Sequence, residues 1–152
     1  MAQRLMCDFE VDFGRLAIEA YGAQVRRVPG TFDDAVRKAA AILREHAHEL
    51  ALLEATDGGN PLQAMLYDVA ISADYMDYFA GLVTEIKGST IPIAAGVLNY
   101  TVREPLGVIA RIGAFNHPLL FVAGKAGAPL AAGNSLIIKP AAKYSKRYAN
   151  NP

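Results

Sequence analysis

The chain has 152 residues, 53% of them hydrophobic and 20% charged, with fifteen basic side chains against fifteen acidic ones. This is the composition of one globular domain, or of a piece of a larger one, and it excludes an intrinsically disordered segment. Balanced charge gives no whole-chain field for nucleic acid, an anionic membrane or acidic partners, so the expected partner is a small molecule or another protein.

The N-terminus, MAQRLMCDFEVDFG, meets Asp8 and Glu10 early and has no apolar core of a signal peptide, which predicts a cytoplasmic protein. The most apolar stretch, residues 106 to 138, is interrupted by Arg111, His117 and Lys125, so no run approaches the roughly 18 residues of a membrane span. Cys7 is alone, so neither a disulfide nor a cysteine metal site forms within the chain. His46 and His48 stand two apart on a predicted helix and face different sides, and no metal site is expected.

Residues 1 to 30 predict a short helix and a turn, closing on RRVPG. A helix is predicted to start at Thr31, whose hydroxyl is expected to accept from the amide of Asp34. Val36, Ala40, Leu43, Ala47 and Leu50 mark its buried face, and DGG at 57 to 59 ends it. Asn60 and Pro61 restart the chain as N-cap and first helical residue. Leu62, Leu66, Val69, Ala73, Met76, Ala80 and Val83 then form a long apolar stripe. Tyr75, Tyr78 and Phe79 are read as core or interface filler.

Beyond KGSTIP the texture becomes extended. LNYTVRE alternates as a half-buried strand does, and GVIARIGA is a second, β-rich run. Residues 118 to 132 predict a helix opened by Pro118, and GNSLIIKP predicts a turn and a buried strand. Strand, helix and apolar strand in that order make a βαβ unit with parallel strands, as in nucleotide-binding sheets. The common glycine-rich, P-loop, nucleophile-elbow and zincin motifs are absent. The basic tail KYSKRYANNP is read as a solvated end rather than a nucleic-acid contact.

Four segments carry a resemblance: LREHAHELALLEATDGGNPL, ADYMDYFAGLVTEIKGSTIP, YTVREPLGVIARIGAFNHPLLF and PLAAGNSLIIKP. In that order and spacing they resemble the N-terminal third of the NAD(P)-dependent aldehyde dehydrogenases. The resemblance runs over residues 31 to 142; residues 1 to 30 are a weakly defined N-terminal segment, and residues 143 to 152 a divergent tail. It implies an α/β fold, with N-terminal helices followed by the first βαβ unit of a Rossmann-type domain that is incomplete here. In the family an aldehyde is oxidised to a carboxylic acid through a cysteine thiohemiacetal, hydride transfer to NAD(P)+ and thioester hydrolysis.

Residue by residue, the resemblance makes Asn116 the amide donor to the developing oxyanion. It places Ile112, Gly113, Ala114 and Phe115 along the nicotinamide side of the cofactor and Lys139 on the adenosine ribose. His117, Leu120, Phe121 and Gly124 correspond to the substrate tunnel. Read without the family, Asn116 is a strand breaker and helix cap, Lys139 a snorkelling lysine, and Leu120 and Phe121 ordinary packing. Two departures stand out. The family's Pro-Trp-Asn-Phe-Pro turn is Ala114-Phe115-Asn116-His117-Pro118, and the ribose-binding glutamate of NAD-preferring members is Ala142, which leaves NAD and NADP both open.

The family's catalytic cysteine and general-base glutamate are expected beyond this chain, so turnover is not expected from it alone. The loss of resemblance at Lys143 suggests a frameshifted or shortened reading frame. Only one parallel neighbour is available to the strand at 135 to 139, so an apolar edge should remain exposed, and self-association or a missing C-terminal portion should cover it. The alternative reading is a non-catalytic interaction or oligomerisation module.

Overall fold

The computed structural model describes residues 3–7 and 24–141. Strands β1 (Gln3–Cys7) and β2 (Gln24–Val28) pair in parallel, with Gln3 opposite Gln24 and Cys7 opposite Val28. The short helix expected in residues 1 to 30 is therefore replaced by strands in the described part of that segment. Residues 8–23, between them, lie outside the described residues, as do Ala142 and the tail at 143–152.

Three helices follow. Helix α1 (Phe32–Glu45) opens on a Thr31–Asp34 capping box, in which the Asp34 carboxylate accepts from the Thr31 amide at 2.7 Å and from its hydroxyl at 2.9 Å. These bonds from Thr31 hold the Asp34 carboxyl below its ordinary range. The single helix expected from Thr31 to Gly59 is interrupted at His46 (φ −102°, ψ 17°), beyond which α2 runs over Ala47–Gly58. The two halves bury different patches: Val36 and Ala40 join Ala73, Met76 and Ala80, whereas Ala51 joins Met65 and Val69. Leu43, next to the break, packs on both patches. Arg44 pairs with Asp74 at 2.8 Å and Asp77 at 2.6 Å. At that exposure such pairs contribute at most about 1 kcal/mol.

Gly59 ends α2 in the left-handed region (φ 78°), with its N–H on the Ala55 carbonyl at 2.9 Å. The expected Asn60–Pro61 start is shifted by one residue. Pro61 (φ −59°, ψ 134°) holds the cap position, α3 spans Leu62–Gly81, and the Asn60 side chain is used elsewhere. The apolar stripe of α3 is as expected at Val69, Ala73, Met76 and Ala80, all buried, with Leu62 and Leu66 half-buried and packed on Met65 and Val69. Met65, Asp68 and Ser72 extend that face. Helices α1 and α2 and the crossover segment all pack on α3.

Residues 86–107 depart most from expectation. LNYTVRE forms no strand; a single antiparallel bridge joins Thr90 and Tyr100, flanked by Ile91 N–H to Asn99 O at 2.9 Å and Thr101 N–H to Ser89 O at 2.8 Å. The apolar side chains of residues 86–107 face solvent, with Leu98 75% and Leu106 85% exposed. An alternating pattern needs a neighbouring strand or layer to bury its apolar half, and none is present among the described residues.

Strands β3 (Val108–Ile112) and β4 (Ser135–Lys139) pair in parallel, with Val108 opposite Ser135 and Ile112 opposite Lys139. The expected strand–helix–strand order holds. The crossover, however, is not one helix: Pro118 and Leu119 begin a turn that widens into a π turn over Leu120–Gly124, and α4 restarts at Gly127–Ala131. Pro129 supplies the reason, since it has no N–H for the carbonyl four residues back. Restarting at Gly127 puts it in a first turn, where no such bond is required. Arg111 on β3 donates through Nε to the Phe121 carbonyl in the π turn at 2.7 Å, tying strand to crossover. Strand β4, expected to be buried, is open at Ile137 and Ile138, as Val108 and Ile112 are on β3.

Two outcomes follow from this packing. Met65→Ala, at a fully buried position, should cost about 2–5 kcal/mol in chemical denaturation. The exposed apolar side chains of β3, β4 and residues 86–107 should make the isolated chain bind a hydrophobic dye and sediment with concentration-dependent mass. A monomeric, dye-free, cooperative unfolding transition would contradict the second expectation.

Candidate functional site

The turn after β3 collects the residues that the sequence singles out. Ile112, the last residue of β3, is exposed. Gly113 is buried and extends the ladder one residue further, its N–H on the Lys139 carbonyl at 3.0 Å. A Cβ on Gly113 would stand 3.1 Å from Val122 Cγ2, so a side chain there would press on the crossover. Ala114 is half-buried, and Phe115 and Asn116 are exposed. Lys139 is exposed at the C-terminal end of β4, opposite Ile112. Ile112, Gly113 and Lys139 thus stand together at the carboxyl edge of a parallel pair, the edge at which open α/β sheets bind ligands.

Asn116 is held by its backbone. Its carbonyl accepts from Asn60 Nδ2 at 2.6 Å, while its own carboxamide makes no hydrogen bond among the described residues. His117 Nδ1 lies 2.6 Å from Asp68 Oδ2; the Asp68 side chain is 5% exposed and that of His117 36%. Leu119 N–H donates to Glu54 Oε1 at 2.5 Å. The Leu119 side chain packs on both core clusters, which docks this turn onto α2 and α3.

Of the four positions expected to line a substrate tunnel, His117, Leu120 and Phe121 are half-buried, the last two within the π turn, and Gly124 is buried. A Cβ on Gly124 would lie 3.1 Å from both Ser72 Oγ and Leu120 Cδ1, so close packing on α3 already requires a small residue there. Gly124 also borders a cavity of about 280 Å³ with Tyr75, Tyr78, Phe79, Lys125 and Ala128, in which Lys125 Nζ stands 5.6 Å from the Tyr75 ring centroid. All three rings of the aromatic cluster therefore edge a cavity, and Tyr78 packs edge-on to Phe79 at 5.3 Å.

Glu54 and Asp68 escape sequence reasoning, and so does the use made of Asn60. Both carboxylates carried a signal: Asp68 falls on the stripe between Met65 and Ser72, and Glu54 falls four residues after Leu50 on the buried face of α2. A charge on a buried face needs a partner. The partners lie 49 and 65 residues away, which no local pattern reveals. Burial pushes the Glu54 carboxyl above its ordinary range; the Leu119 amide opposes that shift, Asp68 adds to it and His117 opposes it. Among the described residues Glu54 Oε2 has no hydrogen-bond partner.

The model of the aldehyde dehydrogenase family matches residues 19–146. The chain belongs to that family. It is 49% identical over 108 residues to aldehyde dehydrogenase tropH of Talaromyces stipitatus, covering 69% of this chain and 21% of the relative. The NAD+ complex of a Bacillus cereus aldehyde dehydrogenase superposes with a TM-score of 0.71 at 40% identity, over 79% of this chain and 26% of that one. An E. coli NADP dependent enzyme gives 0.68 at 32% identity, over 71% and 23%. This aldehyde dehydrogenase chain therefore spans about a quarter or less of the length of these relatives. Its helices and parallel strand pair are an incomplete Rossmann-like N-terminal region of the family fold.

The raised Glu54 carboxyl has a sign that can be checked. The folded chain holds that proton more tightly than the unfolded chain does, so this group lowers stability as pH rises through the carboxylate range. Glu54→Gln keeps an oxygen for the Leu119 amide and removes the charge. Its melting temperature relative to the parent should therefore rise between about pH 4 and about pH 7. A pH-independent difference between the two chains would remove this account of Glu54.

Proposed function

We propose that this chain provides the oxyanion donor and part of the cofactor edge of an NAD(P)-dependent aldehyde dehydrogenase. The observation that carries this reading is Asn116: its backbone is tethered, and its carboxamide is left open between the end of β3 and the start of the crossover. When a thiolate adds to an aldehyde, negative charge gathers on the former carbonyl oxygen, and a pre-set amide N–H stabilises it without reorganising. By the family resemblance, that thiolate and the general-base glutamate belong to sequence outside the matched segment.

The edge formed by Ile112, Gly113, Ala114, Phe115 and Lys139 suits a dinucleotide. A glycine without a side chain and the half-buried Ala114 follow a parallel strand, and Lys139 stands at the end of its neighbour. NAD(P)+ bound there would accept the hydride. Lys139 would donate to a ribose hydroxyl, and both NAD+ and NADP+ remain admissible ligands. His117, Leu120, Phe121 and Gly124 would line the path of the aldehyde. The cytoplasmic location and the self-association expected from the sequence belong to the same proposal, the latter supported by the exposed apolar residues of β3, β4 and 86–107.

Two measurements test it. Titrating NAD+ and NADP+ into the chain should give a saturable change in tyrosine fluorescence that Lys139→Ala weakens; a flat titration with both would favour a non-catalytic module. Joined to the remaining sequence of a full-length relative, the chain should support aldehyde oxidation. There Asn116→Ala should lower kcat about 100- to 1,000-fold with little change in KM. An unchanged kcat would remove Asn116 from the chemistry.

A further inference from the structure

Three polar side chains of the α2–α3 hairpin converge on three residues of the turn after β3, Asn116, His117 and Leu119. Asn60, between the helices, donates to the Asn116 carbonyl at 2.6 Å. Asp68, two turns into α3, meets His117 Nδ1 at 2.6 Å, and Glu54, in the last half of α2, accepts from the Leu119 N–H at 2.5 Å. Two of the bonds fix backbone groups on either side of Pro118, and the third fixes a side chain. The Asn60 amide gives up the helix-cap role that its sequence position offers in order to make its bond, which spans 56 residues. Asp68 is itself steadied, since Ser72 Oγ donates to its main-chain carbonyl at 2.6 Å.

We infer that Asn60, Asp68 and Glu54 act together as positioning residues for Asn116, setting where its free carboxamide points. The hairpin is thereby more than a buttress for the sheet. A buried carboxyl group facing His117 holds one ring orientation, with Nδ1 toward Asp68 and Nε2 turned away. The Asn60 amide fixes the peptide plane immediately after the Asn116 Cα. A ligand amide must be held to within a fraction of an ångström to act on an oxyanion, and a turn exposed at Phe115 and Asn116 does not achieve that by packing. This inference deepens the assignment of Asn116 as oxyanion donor and rests on it.

The test uses the full chain labelled with ¹⁵N and ¹³C. In the parent, a scalar coupling across the hydrogen bond should connect Asn60 Nδ2 to the Asn116 carbonyl carbon, and the Asn116 carboxamide should give one ordered pair of resonances. Asn60→Ala, and Asn60→Asp, which keeps the size but offers an acceptor, should abolish that order while the amides of Val69, Ala73 and Met76 keep their shifts. Asp68→Asn should move the His117 ring nitrogens toward those of exposed His48. Glu54→Ala should speed exchange of the Leu119 amide about tenfold, a factor in line with one ordinary hydrogen bond, and Glu54→Gln should restore most of the protection.

An Asn116 carboxamide equally ordered in the parent and both Asn60 variants would overturn the inference. So would a parent without the Asn60–Asn116 coupling, a result that requires no variant to fold. These readings report the turn alone. A positive result here beside an unchanged kcat for Asn116→Ala would leave the clasp standing and remove the oxyanion role, and the reverse pairing would do the opposite.

Discussion

Burial of one face of α3 is the constraint on which the rest of the molecule depends. Met65, Val69 and Ala73 are fully enclosed because α2 covers the first part of the stripe, α1 the second, and the crossover segment closes over both. Each of these elements is too short or too apolar on one side to stand alone in water, and each finds its cover on the same helix. The sheet contributes little to this core, since much of the apolar surface of its two strands is open. What keeps β3 and β4 in place is therefore the docking of the segment between them, through Leu119, Ala123 and Ala126, onto α3.

That arrangement explains why polar groups occur on a face otherwise reserved for methyl and methylene. A stripe that only had to exclude water would be best filled with aliphatic side chains. Asp68 and Ser72 depart from that rule, and Glu54 does so on α2, where their oxygens meet N–H groups, the His117 ring or a main-chain carbonyl. Buried polar groups contribute specificity more than net free energy, because satisfying them in one geometry leaves every alternative geometry costly. The core here fixes the depth of the crossover, and its polar members fix its rotation and register.

Helical segments and the parallel pair were legible in sequence because their signals are local. Period, capping residues and the Gly59 stop place α1, α2 and α3 to within a residue or two, with the His46 interruption hidden in an unbroken apolar face. The crossover departs from the single helix expected over 118 to 132 because Pro129 would fall in its interior, whereas the first turn of a second helix accepts it. LNYTVRE departs for a different reason. Alternation reports what a segment would bury against, and the neighbour it needs is not among the described residues. Asn116 is singled out by resemblance to a family turn, whereas Glu54, Asn60 and Asp68 are not. Their partners lie 49 to 65 residues along the chain, a relation that exists only after folding.

The π turn at Leu120–Gly124 has a mechanical consequence. Within the widened turn the Phe121 carbonyl accepts from the guanidinium of Arg111. Arg111 is one residue from the end of β3, and Ile112 is bonded into β4. Strand tip, widened turn and neighbouring strand are thus cross-braced like the struts of a truss. A ligand pressing on the sheet edge would carry the mouth of the crossover with it as one rigid piece, so that the position of the strand tips and the shape of the crossover are set by the same small displacement.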